Sequence, residues 1–100
     1  MKFQSIMSKI LANDMPAGAP IHPGIIISDE IKARELKQKD LAKNIDISPS
    51  MLSDLIHGRR NITADLALKL ENALEISAMF WMNYQNKYDL DKARKLVGVA

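Results

Sequence analysis

The sequence predicts an all-α fold, arranged as one compact domain behind an N-terminal amphipathic arm. From residue 21 onward, apolar residues recur at intervals of three and four, the spacing that places side chains on one face of a helix. Capping residues and glycines separate these apolar patterns, and no segment shows the alternation of a half-buried strand. A chain of 100 residues with 47% hydrophobic residues is sufficient for one core.

Residues 1–20 are predicted to be an arm and a linker, distinct from the domain at 21–100. The arm carries an apolar stripe at helical spacing, and we expect it to contact a dimer subunit or a partner through Phe3, Ile6, Met7 and Ile10, with Leu11 beside them. An isolated helix this short is marginal in water, so the stripe needs a surface to bury against. That surface could belong to its own domain, to a second copy or to another protein.

Two helices are expected between residues 23 and 45. Pro23 suits the first turn of the first helix, where its missing N–H costs nothing, and the inner face is formed by Ile27, Ile31 and Leu36. The run Ile25–Ile27 is also compatible with a buried strand, but the charged residues that follow and the lack of a partner strand favour a helix. The second helix is expected over residues 38–44, with an inner face of Leu41, Ala42 and Ile45.

A third helix is expected from Ser48 to about His57. Ser48 is a favourable N-cap residue, and Pro49 occupies the first helical position. Gly58 can adopt the left-handed conformation that commonly ends a helix. The inward residues of this helix are Leu52, Leu55 and Ile56.

Thr63 and Ser77 are expected to cap a fourth and a fifth helix. The inner face of the fourth is formed by Leu66, Ala67, Leu70, Ala73 and Leu74. The fifth carries Phe80 and an aromatic stripe of Trp81, Tyr84 and Tyr88, for which we expect a core position combined with a dimer contact. A separate short C-terminal helix is predicted to begin at Asp89.

Several classes of function are excluded by what the sequence lacks. It contains no cysteine, and His22 and His57 have no accompanying ligand set, so no metal site is predicted. No nucleophile motif, phosphate-binding loop or paired carboxylates are present, and we predict no cofactor, no catalytic residues and no enzymatic activity. The longest apolar run is far shorter than the ~20 residues of a membrane span, and no signal peptide is recognised. We therefore expect a cytoplasmic protein that does not bind membranes.

The segment from Gln38 to Gly58 carries the functional prediction. It predicts two short helices joined by a turn too tight for an antiparallel arrangement, with the small Ala42 where they would cross and Ile47 in the turn. The leucines of the third helix would hold it to the core. Its outer face could then enter the major groove of double-stranded DNA, which is about 12 Å wide.

We expect the DNA-binding residues on and around this outer face. The face comprises Pro49, Ser50, Met51, Ser53, Asp54 and His57, preceded by Ser48. Gln38 could bind a phosphate or an adenine edge. Basic residues that would neutralise phosphates flank the face, although the last two could also form a solvated turn: Lys37, Lys39, Lys43, Arg59 and Arg60. This clustering matters more than the net charge of +2.

Two features limit the DNA affinity expected of one subunit. The outer face contains no arginine or lysine, and Asp54 would bring a negative charge towards DNA unless it accepts from a cytosine amino group or pairs with a lysine. Met51 could also belong to the core instead. We therefore expect a homodimer whose third helices are spaced ~34–36 Å apart on a palindromic operator.

The residues Gln38, Leu41-Ala42, Ile47-Ser48, Leu52-Ser53, Leu55 and Gly58 resemble, in type and spacing, the Cro/CI-type (Xre-like) helix-turn-helix. Three flanking segments narrow the resemblance to HigA-type antitoxins: 22–24 (HPG), 58–63 (GRRNIT) and 80–90, which contains FWMN, Gln85 and YDL. The resemblance covers about residues 22–94.

This resemblance implies a dimeric, lambda-repressor-like domain of five helices that represses its own promoter and neutralises a HigB-like ribonuclease toxin. The chain departs from the family pattern at Ile25, where glutamate is usual, at Lys37, where a serine cap is usual, and at Pro49, where a polar residue is common. The alternatives are a free-standing Xre-like transcriptional regulator without a toxin partner and a helical protein-interaction module.

Overall fold

The computed structural model describes residues 20–96. Five helices follow one another in this range: α1 (Gly24–Ala33), α2 (Gln38–Asn44), α3 (Pro49–Ile56), α4 (Ala64–Leu74) and α5 (Ala78–Leu96). No strand occurs between residues 20 and 96, so the all-α prediction is confirmed and Ile25–Ile27 is helical. Four residues were predicted to form the contacts of the arm, and they lie outside the described residues: Phe3, Ile6, Met7 and Ile10.

The predicted caps begin three of the helices. Ser48 Oγ accepts a hydrogen bond from Met51 N–H at 3.0 Å, and Thr63 Oγ1 accepts one from Leu66 N–H at 3.3 Å. At the start of α5, Ser77 Oγ accepts from Met79 N–H at 3.1 Å. Each bond satisfies a backbone donor that has no partner within its own helix.

The core lies where the inner faces of all five helices meet. It contains most of the residues predicted to face inward, together with Ile62 and Ile76 from the connecting loops. Among the predicted inner residues, Ile31, Ile56 and Ala73 are only partly buried. Within the described residues, no helix is long and apolar enough to cross a bilayer.

Leu36 does not belong to the inner face of α1, contrary to the prediction, and is 40% exposed. The helix ends at Ala33, and Glu35 then adopts a left-handed conformation with φ of 56°. Leu36 N–H donates to Ile31 O at 2.9 Å, which closes the helix end. The chain therefore leaves the helical path before Leu36, and helical spacing no longer describes where this side chain lies.

The predicted separate helix at Asp89 is also wrong, because α5 continues without a break for 19 residues. Side-chain pairs one helical turn apart span the expected boundary: Gln85 Nε2 donates to Asp89 Oδ1 at 3.0 Å, and Lys87 Nζ to Asp91 Oδ2 at 2.6 Å. Pairs at this spacing stabilise a helix modestly. No proline or glycine interrupts the segment, so the capping potential of Asp89 is not used.

An ion pair between Glu30 and Arg34 links the C-terminal ends of α1 and α4. Glu30 is almost completely buried, and its Oε1 accepts a hydrogen bond from Arg34 Nε at 3.0 Å. Arg34 also donates through a terminal guanidinium nitrogen to the carbonyl oxygen of Leu74 at 2.7 Å. The arginine thereby satisfies one of the carbonyl groups left unpaired at the end of α4.

Candidate nucleic-acid interface

The inner side of α3 is held tightly against the domain. Leu52 and Leu55 are completely buried. The backbone of α1 also approaches α3 closely, because a Cβ atom added at Gly24 would lie 1.9 Å from Leu55 O. Since no real Cβ atom tolerates that distance, only glycine permits this packing of α1 on α3.

The turn between α2 and α3 has the predicted composition. Ala42 is completely buried, and Ile47 packs partly buried against the core. Asp46 takes a left-handed conformation with φ of 57°, and Ile47 N–H donates to Ala42 O at 3.0 Å. The connection from Asn44, at the end of α2, to Pro49, at the start of α3, is therefore short and closed by a backbone hydrogen bond.

The outer face of α3 is accessible to solvent. Pro49, Ser50 and His57 are exposed, as is the cap residue Ser48. The remaining members of the predicted face are partly exposed, and they are Met51, Ser53 and Asp54. Met51 is therefore not a core residue, and none of the predicted outer-face residues is buried by the chain itself.

His57 is oriented by the last turn of α3. Its Nδ1 lies 2.8 Å from Ser53 O and 3.4 Å from Ser53 Oγ. Because a carbonyl oxygen only accepts, Nδ1 must carry the hydrogen, which leaves Nε2 as the acceptor of the neutral ring. A neutral His57 can thus offer an acceptor to a ligand above the outer face.

The predicted phosphate-binding residues are exposed, both before and after α3 in the sequence. On the α2 side these residues are Lys37, Gln38, Lys39 and Lys43. Arg59 and Arg60 follow the helix in the next turn, and both are exposed. The basic residues are therefore accessible to solvent, and their contacts with phosphates stay a prediction.

Asp54 pairs with an arginine and not with one of the lysines considered from the sequence. Arg59 Nε donates to Asp54 Oδ1 at 3.0 Å, while Arg59 N–H donates to Asp54 O at 2.8 Å. An exposed pair of this kind contributes little to stability. Its consequence is electrostatic, because the negative charge on the outer face is balanced within the same chain.

A cleft of about 480 Å³ opens between the start of α3 and the start of α4. Its lining combines the basic residues Arg60 and Lys69 with the acidic residues Asp46 and Asp65, and Met51 contributes an apolar surface. Lys69 Nζ lies 3.3 Å from Asp65 Oδ2. Sequence reasoning did not find Lys69, since α4 reaches this site only through the tertiary fold.

A family model described as Helix-turn-helix matches residues 27–81, which include all of α2, α3 and α4. The chain belongs to the helix-turn-helix family.

Relatives of the chain include both regulators and antitoxins. Virulence-associated protein I of Dichelobacter nodosus is 40% identical over 84 residues, covering 83% of this chain and 75% of that protein. The uncharacterized HTH-type transcriptional regulator YddM of Escherichia coli is 32% identical over 78 residues, covering 78% and 83%. The Pseudomonas aeruginosa antitoxin HigA, solved with the higBA promoter, is 36% identical with a TM-score of 0.75, covering 80% of this chain and 88% of that one. The resemblance to HigA-type antitoxins of the Cro/CI type is confirmed.

The loop that follows the helix-turn-helix is fixed by distant residues. Gly58 adopts the left-handed conformation with φ of +76°, as predicted for a helix end. Gln85 of α5 is buried, and its Oε1 accepts from Ile62 N–H at 2.8 Å. His22 Nε2 lies 3.3 Å from Asn61 Oδ1. Neither contact was predicted. The position of Gln85 among the aromatic residues of α5 was a sequence signal that could have indicated a buried amide.

The aromatic stripe of α5 lies mainly in the core. Trp81 is completely buried and donates through Nε1 to Ile76 O at 3.2 Å. Because it has no exposed surface, the prediction that Trp81 also contacts a second subunit is wrong. Tyr84 is buried beside Phe80, and this burial, with the charge of Asp91, raises the pKa of Tyr84. Tyr88 remains partly exposed, and its dimer contact stays a prediction.

Proposed function

We propose that this protein is an antitoxin that binds operator DNA as a homodimer, represses its own operon in the cytoplasm and neutralises a HigB-like ribonuclease toxin. The observation that carries the proposal is the outer face of α3, which is exposed while its leucines are completely buried. The similarity to an antitoxin solved with its promoter supports both the DNA-binding part and the antitoxin part of the proposal.

The proposed DNA contacts divide into two kinds. Arg59, Arg60 and the lysines of α2 neutralise phosphates, which contributes affinity independent of sequence. Ser50 and Ser53 hydrogen-bond to base edges, and Met51 contacts a thymine methyl group. Gln38 binds a phosphate or an adenine edge at the start of α2.

The DNA contacts are tested by binding of labelled duplex DNA from upstream of the gene, measured by fluorescence anisotropy at two salt concentrations. Arg60→Ala should weaken binding uniformly across sequences and reduce the salt slope by about 1. Ser50→Ala should instead change the preferred base. Lys95→Ala, an exposed change at the far end of α5, is the matched charge control. A base-specific effect of Arg60→Ala would contradict these roles.

The antitoxin function is tested by co-expression with the protein encoded by the adjacent reading frame. We expect growth inhibition by that protein alone and recovery when this chain is present. Deletion of residues 1–18 tests whether the arm is the toxin-binding segment, because unchanged inhibition of the toxin would show that the folded domain suffices. Both readouts require no knowledge of the operator.

The second candidate is a free-standing transcriptional regulator. Its support is the similarity to YddM, which is named a transcriptional regulator and not an antitoxin. This candidate predicts the same salt-dependent DNA binding but no inhibitory neighbour. A helical interaction module would show no binding to upstream DNA at either salt concentration.

A further inference from the structure

His22 connects three parts of the domain that are distant in the sequence. Its Nδ1 accepts a hydrogen bond from Gly24 N–H at 2.9 Å, at the start of α1. Its Nε2 lies 3.3 Å from Asn61 Oδ1, in the loop after α3. The ring packs edge-on against Tyr88 of α5, with a centroid distance of 4.9 Å.

The hydrogen bonds of His22 require one protonation state. Gly24 N–H can only donate, so Nδ1 must be unprotonated and the hydrogen of the neutral ring resides on Nε2. That hydrogen is donated to Asn61 Oδ1. Adding a second proton would place an N–H at Nδ1 directly opposite the Gly24 N–H, so the charged ring cannot keep the contact at the start of α1.

The two charged side chains that influence His22, Asp89 and Lys92, both lie on α5. Burial is the largest influence and lowers the pKa of His22 below its ordinary value of 6.5. The side chain of Asn61, the backbone of Arg60 and the charge of Asp89 act in the opposite direction, while Lys92 lowers the pKa further. Tyr88 also faces the ring, and the neutral state therefore prevails at neutral pH and is lost as the solution becomes more acidic.

The two arginines of the loop lie between two residues that contact His22. Asn61, bonded to Nε2, follows Arg60 directly. Gly58, which precedes Arg59, lies beneath the ring, because a Cβ atom added there would be 3.5 Å from the His22 Cγ. The imidazole thus restrains the turn Arg59–Arg60 at both of its ends.

We propose that His22 is a positioning residue for DNA binding. The neutral ring, anchored on Gly24 N–H, holds the Arg59–Arg60 turn against phosphates, whereas the protonated ring keeps Asn61 but must leave Gly24 and so moves the turn away from the phosphates. This inference rests on the proposed DNA-binding function. The DNA-bound state then requires a neutral ring, so the affinity for DNA decreases as the pH decreases. The total decrease is up to roughly tenfold for each unit by which DNA binding lowers the pKa of His22.

The test compares DNA affinity from about pH 7.5 to about pH 5.5 at constant ionic strength, the range in which histidine side chains titrate. Because His57 is a second histidine, on the outer face itself, the measurements are made in a His57→Gln background. In that background we expect affinity to fall as pH falls. Adding His22→Gln, which offers an amide oxygen and an amide N–H but does not titrate, should abolish the pH dependence.

Two further readouts separate positioning from a purely structural role. Circular dichroism at each pH establishes that the protein is folded, so that a loss of affinity does not reflect unfolding. The salt slope of binding should decrease by about 1–2 in acid, as the two arginines leave the phosphates. His22→Ala should reduce affinity and salt slope at every pH, and His22→Gln should recover both at neutral pH.

Failure of the inference can be told apart from failure of the proposed function. If the protein does not bind upstream DNA at about pH 7.5, the DNA-binding function is wrong. If it binds, but the pH profile is the same with His22 and with His22→Gln in the His57→Gln background, the positioning role of His22 is wrong. A pH-dependent affinity with an unchanged salt slope also contradicts release of the arginines.

Discussion

The two ends of α3 are fixed in different ways. At its start, Ser48 Oγ bonds to the N–H of a residue only three positions away. At its end, the following loop is held by His22 and Gln85 through bonds that span 39 and 23 positions in the sequence. The start of the helix is therefore specified locally, and its end depends on the assembled domain.

This difference separates the two kinds of proposed DNA contact. The serines that would read base edges follow the locally capped start of α3. Arg59 and Arg60, which would bind phosphates, follow the end that α1 and α5 hold in place. A change in α1 or α5 can therefore alter the phosphate contacts without touching the surface that faces DNA.

The largest expected effect comes from Gly24→Ala, at the contact between α1 and the end of α3. Alanine in place of glycine normally stabilises a helix by about 0.5–1 kcal/mol. Here the added Cβ would lie 1.9 Å from Leu55 O, so backbone must move. We expect a loss of about 3 kcal/mol in the free energy of unfolding, the upper range for overpacking, measured by urea denaturation.

The control for this variant is Lys32→Ala, on the exposed side of the same helix. A surface change of this kind should stay within about 0.5 kcal/mol of the unmodified protein. If Gly24→Ala were neutral or stabilising, α1 would not be packed on α3 as the structure shows, and the end of the helix would be less dependent on the domain than we infer.

An intermediate effect is expected from Gln85→Leu, at the second long-range contact. The replacement keeps the approximate size of the side chain but removes the acceptor of Ile62 N–H, a buried bond of 2.8 Å. Leaving a buried donor unpaired costs about 1–3 kcal/mol, so we expect a loss of about 2 kcal/mol in urea denaturation. Asn86→Ala, an exposed change at the neighbouring position, should have little effect. An equally small effect of Gln85→Leu would show that the loop does not depend on α5.

The distinction between local and long-range contacts also explains which features the sequence could predict. The caps at Ser48, Thr63 and Ser77 and the leucines of α3 follow from local chemistry and helical spacing, and all were predicted. Leu36 and the helix break at Asp89 were wrong because periodicity does not show where a helix ends or whether a potential cap is used.

The unpredicted parts of the site share another property. The positions of His22, Gln85 and Lys69 relative to α3 depend on how separate helices pack, and no local pattern encodes that packing. The partner of Asp54 was also missed, since the left-handed Gly58 turns the chain so that Arg59 reaches back to the helix.

The smallest expected effect comes from Ser48→Ala, at the locally specified start of α3. Loss of the cap bond to Met51 N–H should lower the free energy of unfolding by about 1 kcal/mol. Ser48→Asp should restore most of that loss, because its carboxylate can accept the same bond and is favoured by the helix dipole.

Ser50→Ala provides the matched control, since it removes a hydroxyl from an exposed position in the same turn and should change stability by less than about 0.5 kcal/mol. Rescue by aspartate is the decisive measurement, because a side chain that acts only as a local cap can be replaced by any acceptor of suitable length. If aspartate failed to rescue while Ser48→Ala cost as much as Gln85→Leu, the start of α3 would also depend on tertiary packing, and the contrast between its two ends would not hold.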